Sequence, residues 1–201
     1  MRRTLVTAFG FSALALFAQQ PAPAPAAAAP SPKPAAFEMP KPGPEMDKLK
    51  PLIGSFRVDQ HLEASIMGPA GLSSGFSHVG EGPGGLSLII DYTVHSGPMH
   101  GMKGHSILGW DGEAKTYKQV WTDSMAPMIV MSTGGWEGET FVMHSEGTMM
   151  GKAYKERDSF SGMGPDGFTL TIEMSMDGGP FQKAMTLIHH RLGEPAKPAA
   201  K

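Results

Sequence analysis

The chain has no cysteine among its 201 residues. That excludes a disulfide scaffold, thiolate metal sites and a cysteine nucleophile. It also lacks an excess of charge of either sign: 17 Lys and Arg face 19 Asp and Glu, for a formal charge of −2. A dedicated nucleic-acid binder needs a basic face, so a pI near 6.4 argues against nucleic acid as a partner. No segment reaches the roughly 18 consecutive apolar residues of a membrane-spanning helix. Neither a His-Glu-x-x-His zinc motif nor a Gly-x-Ser-x-Gly nucleophile elbow occurs. What the chain does have is 26 glycines, 18 prolines and 16 methionines.

Arg2 and Arg3 precede an apolar run from Leu5 to Phe17, and Ala18 offers a small residue for cleavage. A run of this length is short for a span and has the layout of a secretory signal peptide. Residues 1–18 are therefore expected to be a signal segment, with the protein exported to a periplasmic or extracellular space. The mature chain is expected to have no membrane span. Between Pro21 and Pro44 lie nine of the 18 prolines, interleaved with alanine. Proline fixes φ and donates no hydrogen bond, so residues 19–43 are expected to form an extended, disordered spacer. Residues 193–201 repeat the Pro/Ala/Lys character and are expected to be a disordered tail. Residues 44–192 remain as one domain, large enough to bury a core without staples.

That domain reads as all-β. Pro44 suits the first turn of a short helix that Pro51 would end. Beyond Gly54 the apolar pattern alternates with a period of two. Phe168, Leu170, Ile172 and Met174 share one face, while Thr169, Thr171, Glu173 and Ser175 share the other. Similar runs from Phe56 to Arg191 give about ten strands. Turn signals such as Asp111-Gly112 and Asp177-Gly178-Gly179-Pro180 separate them. Short connections point to an up-and-down antiparallel meander, and about ten strands would close into a β-barrel to remove their edges. An open sandwich is the competing architecture.

The stretch Gly43-Pro44-Glu45, Leu49, Leu52 and Gly54-Ser55-Phe56 resembles the opening of the domain-of-unknown-function 1579 family. Leu108-Gly109-Trp110-Asp111 also resembles it, followed by Lys115, Tyr117, Trp121 and Asp123-Ser124, then Glu156-Arg157-Asp158 and the closing Arg191. The resemblance spans about 43–192. That family is similar to lipocalin-like, calycin-type barrels, in which a Gly-x-Trp opens the first strand; here Phe56 stands in place of the tryptophan. The resemblance implies a lipocalin-like barrel and no particular activity. A function must therefore be argued from a site.

A barrel of this size can hold a small ligand. Tyr117 and Trp121 share a strand face, Tyr92 lies on the apolar face of its own strand, and Arg157 alternates with Glu156 and Asp158. An inward arginine would anchor a ligand carboxylate. Tyr92, Tyr117, Trp121 and Arg157 are thus the candidate ligand-binding residues, for a small apolar or amphipathic molecule. The competing reading is that the aromatics fill the core and Arg157 pairs on the surface. A second class is metal: His95, His100 and His105, with Met125, Met128 and Met131, are ligand types suited to copper, but their spacing does not converge on a strand. Methionine as adaptable core filler competes with it. A haem site on a histidine and a non-catalytic protein-interaction module remain as alternatives. Hydrolysis finds little support, because His144 and Ser145 are adjacent and point to opposite faces. Glu156 and Asp158 share a face, and alternating polar residues on a solvated strand are the ordinary case.

Overall fold

A computed structural model describes residues 38–65 and 68–193. The expected signal segment, most of the spacer and the tail from residue 194 lie outside these residues. A helical turn, α1 (Pro44–Asp47), carries Pro44 in its first turn and is followed by a 3-10 turn over Lys50–Leu52. Ten strands come next: β1 (Gly54–Leu62), β2 (Gly71–Glu81), β3 (Ser87–Ser96), β4 (Lys103–Asp111) and β5 (Thr116–Asp123). They continue as β6 (Ile129–Glu137), β7 (Thr140–Met149), β8 (Lys152–Gly164), β9 (Gly167–Met176) and β10 (Gln182–Arg191). Each strand pairs antiparallel with its sequence neighbour, and β1 pairs with β10 from Phe56↔Arg191 to Leu62↔Met185. The sheet is a closed up-and-down barrel, not a sandwich.

Closure forces one set of alternating side chains inward. Along β1 these are Phe56, Val58, Gln60 and Leu62, all buried. Along β8 they are Tyr154, Glu156, Asp158 and Phe160, the two aromatics buried at either end of the series. One end of the barrel is plugged. Met46, Leu49 and Leu52, from α1 and the 3-10 turn, are buried in the same core as Phe56, Leu88, Leu108 and Phe168.

Aromatic rings collect at this plugged end. Trp110 meets Tyr117 at 4.9 Å, Tyr117 meets Phe141 at 4.9 Å, and Phe141 meets Phe160 at 5.7 Å. Phe160 meets Phe168 at 6.1 Å, and Phe168 stacks on His189 at 4.0 Å. Edge-to-face and stacked pairs of this kind add modestly to the area they bury. Phe56 packs edge-on to Phe168 at 5.2 Å.

Arg191 fastens the plug. Its guanidinium lies 4.7 Å over the Phe56 ring. It donates to the carbonyls of Pro51 and Ile53, at 2.5 Å each, and to Pro165 at 2.7 Å. Gly54, at φ 146°, leaves the space this side chain occupies; a Cβ there would collide with the guanidinium. Charge-assisted bonds are the strong ones, so Arg191 ties the end of β10 to the 3-10 turn of the plug and to the turn between β8 and β9. Arg191→Ala is expected to destabilise the protein by about 2–4 kcal/mol, from lost charged hydrogen bonds and unpaired carbonyls. Guanidinium unfolding measures this; a loss under about 0.5 kcal/mol would mean that the plug holds without it.

Candidate functional site

Three of the four candidate ligand residues point inward, and two of them are neighbours, since the Trp121 ring covers Gly104, the cross-strand partner of Tyr92. Tyr117 is buried against the plug, where its hydroxyl donates to the Glu45 carbonyl at 2.9 Å. Tyr92 sits further along the barrel, donating to Gln60 Oε1 at 3.1 Å, and burial pushes its pKa up. Trp121 lies nearer the other end, with its ring over Gly104, where a Cβ would collide with it. The indole N–H donates to Asp123 Oδ2 at 2.9 Å. All three polar tips are therefore partnered within the protein, and these residues build wall.

Arg157 faces the outside, which corrects its place in the expected pocket. Its inward-pointing neighbours in β8 are Tyr154, Glu156, Asp158 and Phe160, so the odd-numbered positions are outward. There it makes two bonds to Glu173 Oε2, at 2.9 and 2.6 Å, and lies 5.0 Å over Phe181. The same parity reverses the reading of the acids: Glu156 and Asp158 do not lie on a solvated face but line the interior.

The metal candidates do not assemble. His105 bonds Asp91 on the outer surface at 2.8 Å, His95 packs on Phe76 at 5.2 Å, and His100 is exposed in the turn after β3. Met125 and Met131 are exposed, Met131 in an outward row with Ile107 and Val120, whereas Met128 packs against the Tyr154, Met174 and Ala184 cluster. Among the described residues, no three His, Cys, Asp or Glu side chains come together in a form that could hold a metal ion.

The inward positions fall into three layers. The aromatic floor at the plugged end is the first. The second, at mid-barrel, is polar. Gln119, Ser132, Ser145 and Glu156 are cross-strand partners in one row over β5 to β8, with Asp158 one inward step along β8. Ser77, Ser106 and Gln60 add to this waist, and all three are buried. The third layer is rich in methionine. Met99, Met102, Met174 and Met185 are buried there, with Met128, Met149 and Met176 packed beside them. Gln60 Nε2 reaches the sulfurs of Met99 at 3.1 Å and Met185 at 3.4 Å, joining waist and mouth. Beside this mouth, a cleft of about 390 Å³ opens between the ends of β7, β8 and β9, and Gly147 and Tyr154 line it. Each is one inward step from Ser145 and Glu156.

The waist is not self-satisfied. Gln119 donates through Nε2 to Ser106 Oγ at 2.9 Å, yet its Oε1 has no partner, and the residue is only 8% exposed. Asp158 Oδ1 is shielded from solvent and has no partner either. Glu156 receives one long bond from Ser145 Oγ, at 3.4 Å. Buried polar atoms are nearly always paired; these two acceptors have no partner among the described residues, nor do Trp136 Nε1 and His189 Nδ1 in the aromatic floor. Ile90, Trp121, Glu156, Asp158, Leu170 and Ile172 point inward and still keep part of their surface accessible.

Burial raises the pKa of Glu156, while the Ser145 hydroxyl opposes the shift. Burial, reinforced by the Glu156 charge, raises Asp158 well above the ordinary carboxylate range. Burial lowers His189 to about 4.

The matching family model is that of proteins of unknown function designated DUF1579, over residues 41–191. The chain belongs to the DUF1579 family. This DUF1579 barrel is similar to the crystal structure of Rv2717c from M. tuberculosis, with 14% identity, 75% of this chain and 99% of that chain covered, and a TM-score of 0.52. The likeness is one of fold. The S-type phycobiliprotein lyase CPES from Guillardia theta aligns at 14% identity over 77% of this chain and 100% of that one, with a TM-score of 0.48. No curated protein sequence matches the DUF1579 chain significantly.

The titrations give a signed prediction. Asp158 binds its proton more tightly in the folded protein than in the unfolded chain. Its contribution to stability is therefore full below the unfolded value near 4 and is lost as pH rises through the folded value. His189 acts oppositely, with stability lost as pH falls from about 6.5 to about 4. Asp158→Asn removes the first effect only. The variant is expected to be more stable than the parent at pH 7 by roughly 1–3 kcal/mol, with the gain fading toward pH 3–4. Chemical unfolding across that pH range measures it; a variant less stable at pH 7 would contradict the burial of an unpartnered carboxyl.

Proposed function

We propose that this protein is an exported binding module that holds a small amphipathic molecule inside its barrel. The observation that carries the reading is the polar waist with two unpartnered acceptors, Gln119 Oε1 and Asp158 Oδ1, set between an aromatic floor and a methionine mouth. A core evolved for stability alone gains nothing from buried carboxyls without partners, because their desolvation is not recovered. A ligand with a polar group at the waist supplies what is missing. Its apolar part meets Ile90, Leu170, Ile172 and the thioethers, which adapt to irregular shapes. The mix of apolar wall and a few convergent polar groups is the usual make-up of a small-molecule site. Export rests on the sequence of residues 1–18 and is part of the same proposal.

Native mass spectrometry of the full-length protein, isolated without denaturant from the cells that make it, tests this reading. The expected spectrum carries one small molecule per chain, released on unfolding and absent from Ser132→Leu, which fills the waist. A ligand-free parent mass, or equal retention by Ser132→Leu, would overturn it.

A further inference from the structure

The inward positions of the ten strands differ from the outer face in charge. Outside, acids and bases alternate in pairs such as Lys118–Asp111 and Arg157–Glu173, both at 2.6 Å. On the inward parity of the described strands the one lysine is Lys152, exposed at the rim of the mouth opposite Met149 and two inward steps from Glu156. The other inward basic side chains are His189 and Arg191, both at the plugged end, on Phe168 and on the plug carbonyls. Glu156 and Asp158 thus face a mid-barrel without a counter-charge. The groups nearest in register are Ser145 and Met143 on β7 and Met174 and Ile172 on β9, none of them a cation. At the waist both orphaned atoms are acceptors, an amide oxygen of Gln119 and a carboxyl oxygen of Asp158, while the other two unpartnered interior atoms, Trp136 Nε1 and His189 Nδ1, belong to the aromatic floor. The waist acceptors ask for hydrogen-bond donors.

We propose that the ligand is a small amphipathic cation, whose protonated nitrogen sits at the waist among Glu156, Asp158 and Gln119 with its apolar part directed to the methionine mouth. The inference rests on the interior-binding reading above and deepens it. An ammonium group has several N–H donors and no acceptor, so it complements a site made of acceptors. It also supplies the opposite charge that makes a buried carboxylate tolerable. A fatty acid fails on both counts, because its carboxylate would add a further acid to a waist with no cation in register to meet it. Methionine walls suit the apolar part, since the polarisable thioether packs against varied shapes.

Three probes of one chain length separate the possibilities: octylammonium, octanol and octanoate, titrated calorimetrically into the full-length protein at pH 7. Octylammonium is expected to bind saturably at one site and at least tenfold more tightly than octanol, with octanoate weakest. Glu156→Gln and Asp158→Asn are each expected to weaken octylammonium at least tenfold while changing octanol less than threefold. Glu173→Gln, which removes an acid from the outer face, should leave all three probes unchanged and so controls for non-specific attraction of amines. Tighter binding of octanoate or octanol, or unchanged octylammonium binding in both waist variants, would overturn the cation assignment and leave interior binding standing. No saturable binding of any probe would instead count against the interior-binding reading, and the cation assignment would fall with it.

Discussion

The pairing of β1 with β10 is the constraint from which the rest follows. Once those strands are joined, the sheet has no edge, and every second side chain on ten strands must enter one interior. With no cysteine, closure and burial hold the domain together without covalent help. Arg191 stands at this seam, opposite Phe56, and binds the 3-10 turn of the plug and the turn between β8 and β9. The same side chain that completes the barrel therefore closes one of its ends.

A closed interior turns the identity of inward residues into an energetic question. At the floor the answer is simple, since aromatic rings fill the space. At the waist it is not. Five strands or more contribute hydroxyl, amide or carboxyl groups, and the carboxyls sit where water is scarce. Removing an ion from water is costly unless a partner of opposite charge takes the place of the solvent. The protein offers no such partner at mid-barrel, while it places eight or more charges in pairs on the outer face, where such pairs contribute little. This division, with inexpensive pairs outside and unpaired acids inside, is difficult to reconcile with a purely structural interior.

Most of the architecture was legible in the sequence. The period-two pattern from Phe56 to Arg191 gives ten strands whose bounds differ from the observed ones by a few residues, because turn residues such as Asp111-Gly112 interrupt each run. The sequence put Tyr92, Tyr117 and Trp121 on the apolar faces of their strands, and those faces point inward. Arg157 was misplaced because charge alone does not reveal a strand's orientation. The signal was present in Tyr154 and Phe160, whose shared parity with Glu156 and Asp158 sends the acids inside and the arginine out. Two aromatics six residues apart set a face more firmly than the chemistry of the residues between them. What no single-chain pattern could supply is the row Gln119, Ser132, Ser145 and Glu156, which exists only through the register of four strands. The methionines gained an explanation the same way: scattered in sequence, many of them gather at the mouth.

The central claim is that Glu156 and Asp158 lie together in a desolvated interior without a counter-charge. Carbon-13 NMR titration of their side-chain carboxyls in the full-length protein tests it most directly. The account predicts that both titrate above the usual range of about 4, Asp158 the more strongly, and that Glu156→Gln brings Asp158 down. Ordinary titration of both carboxyls near 4, with no response of one to removal of the other, would contradict it.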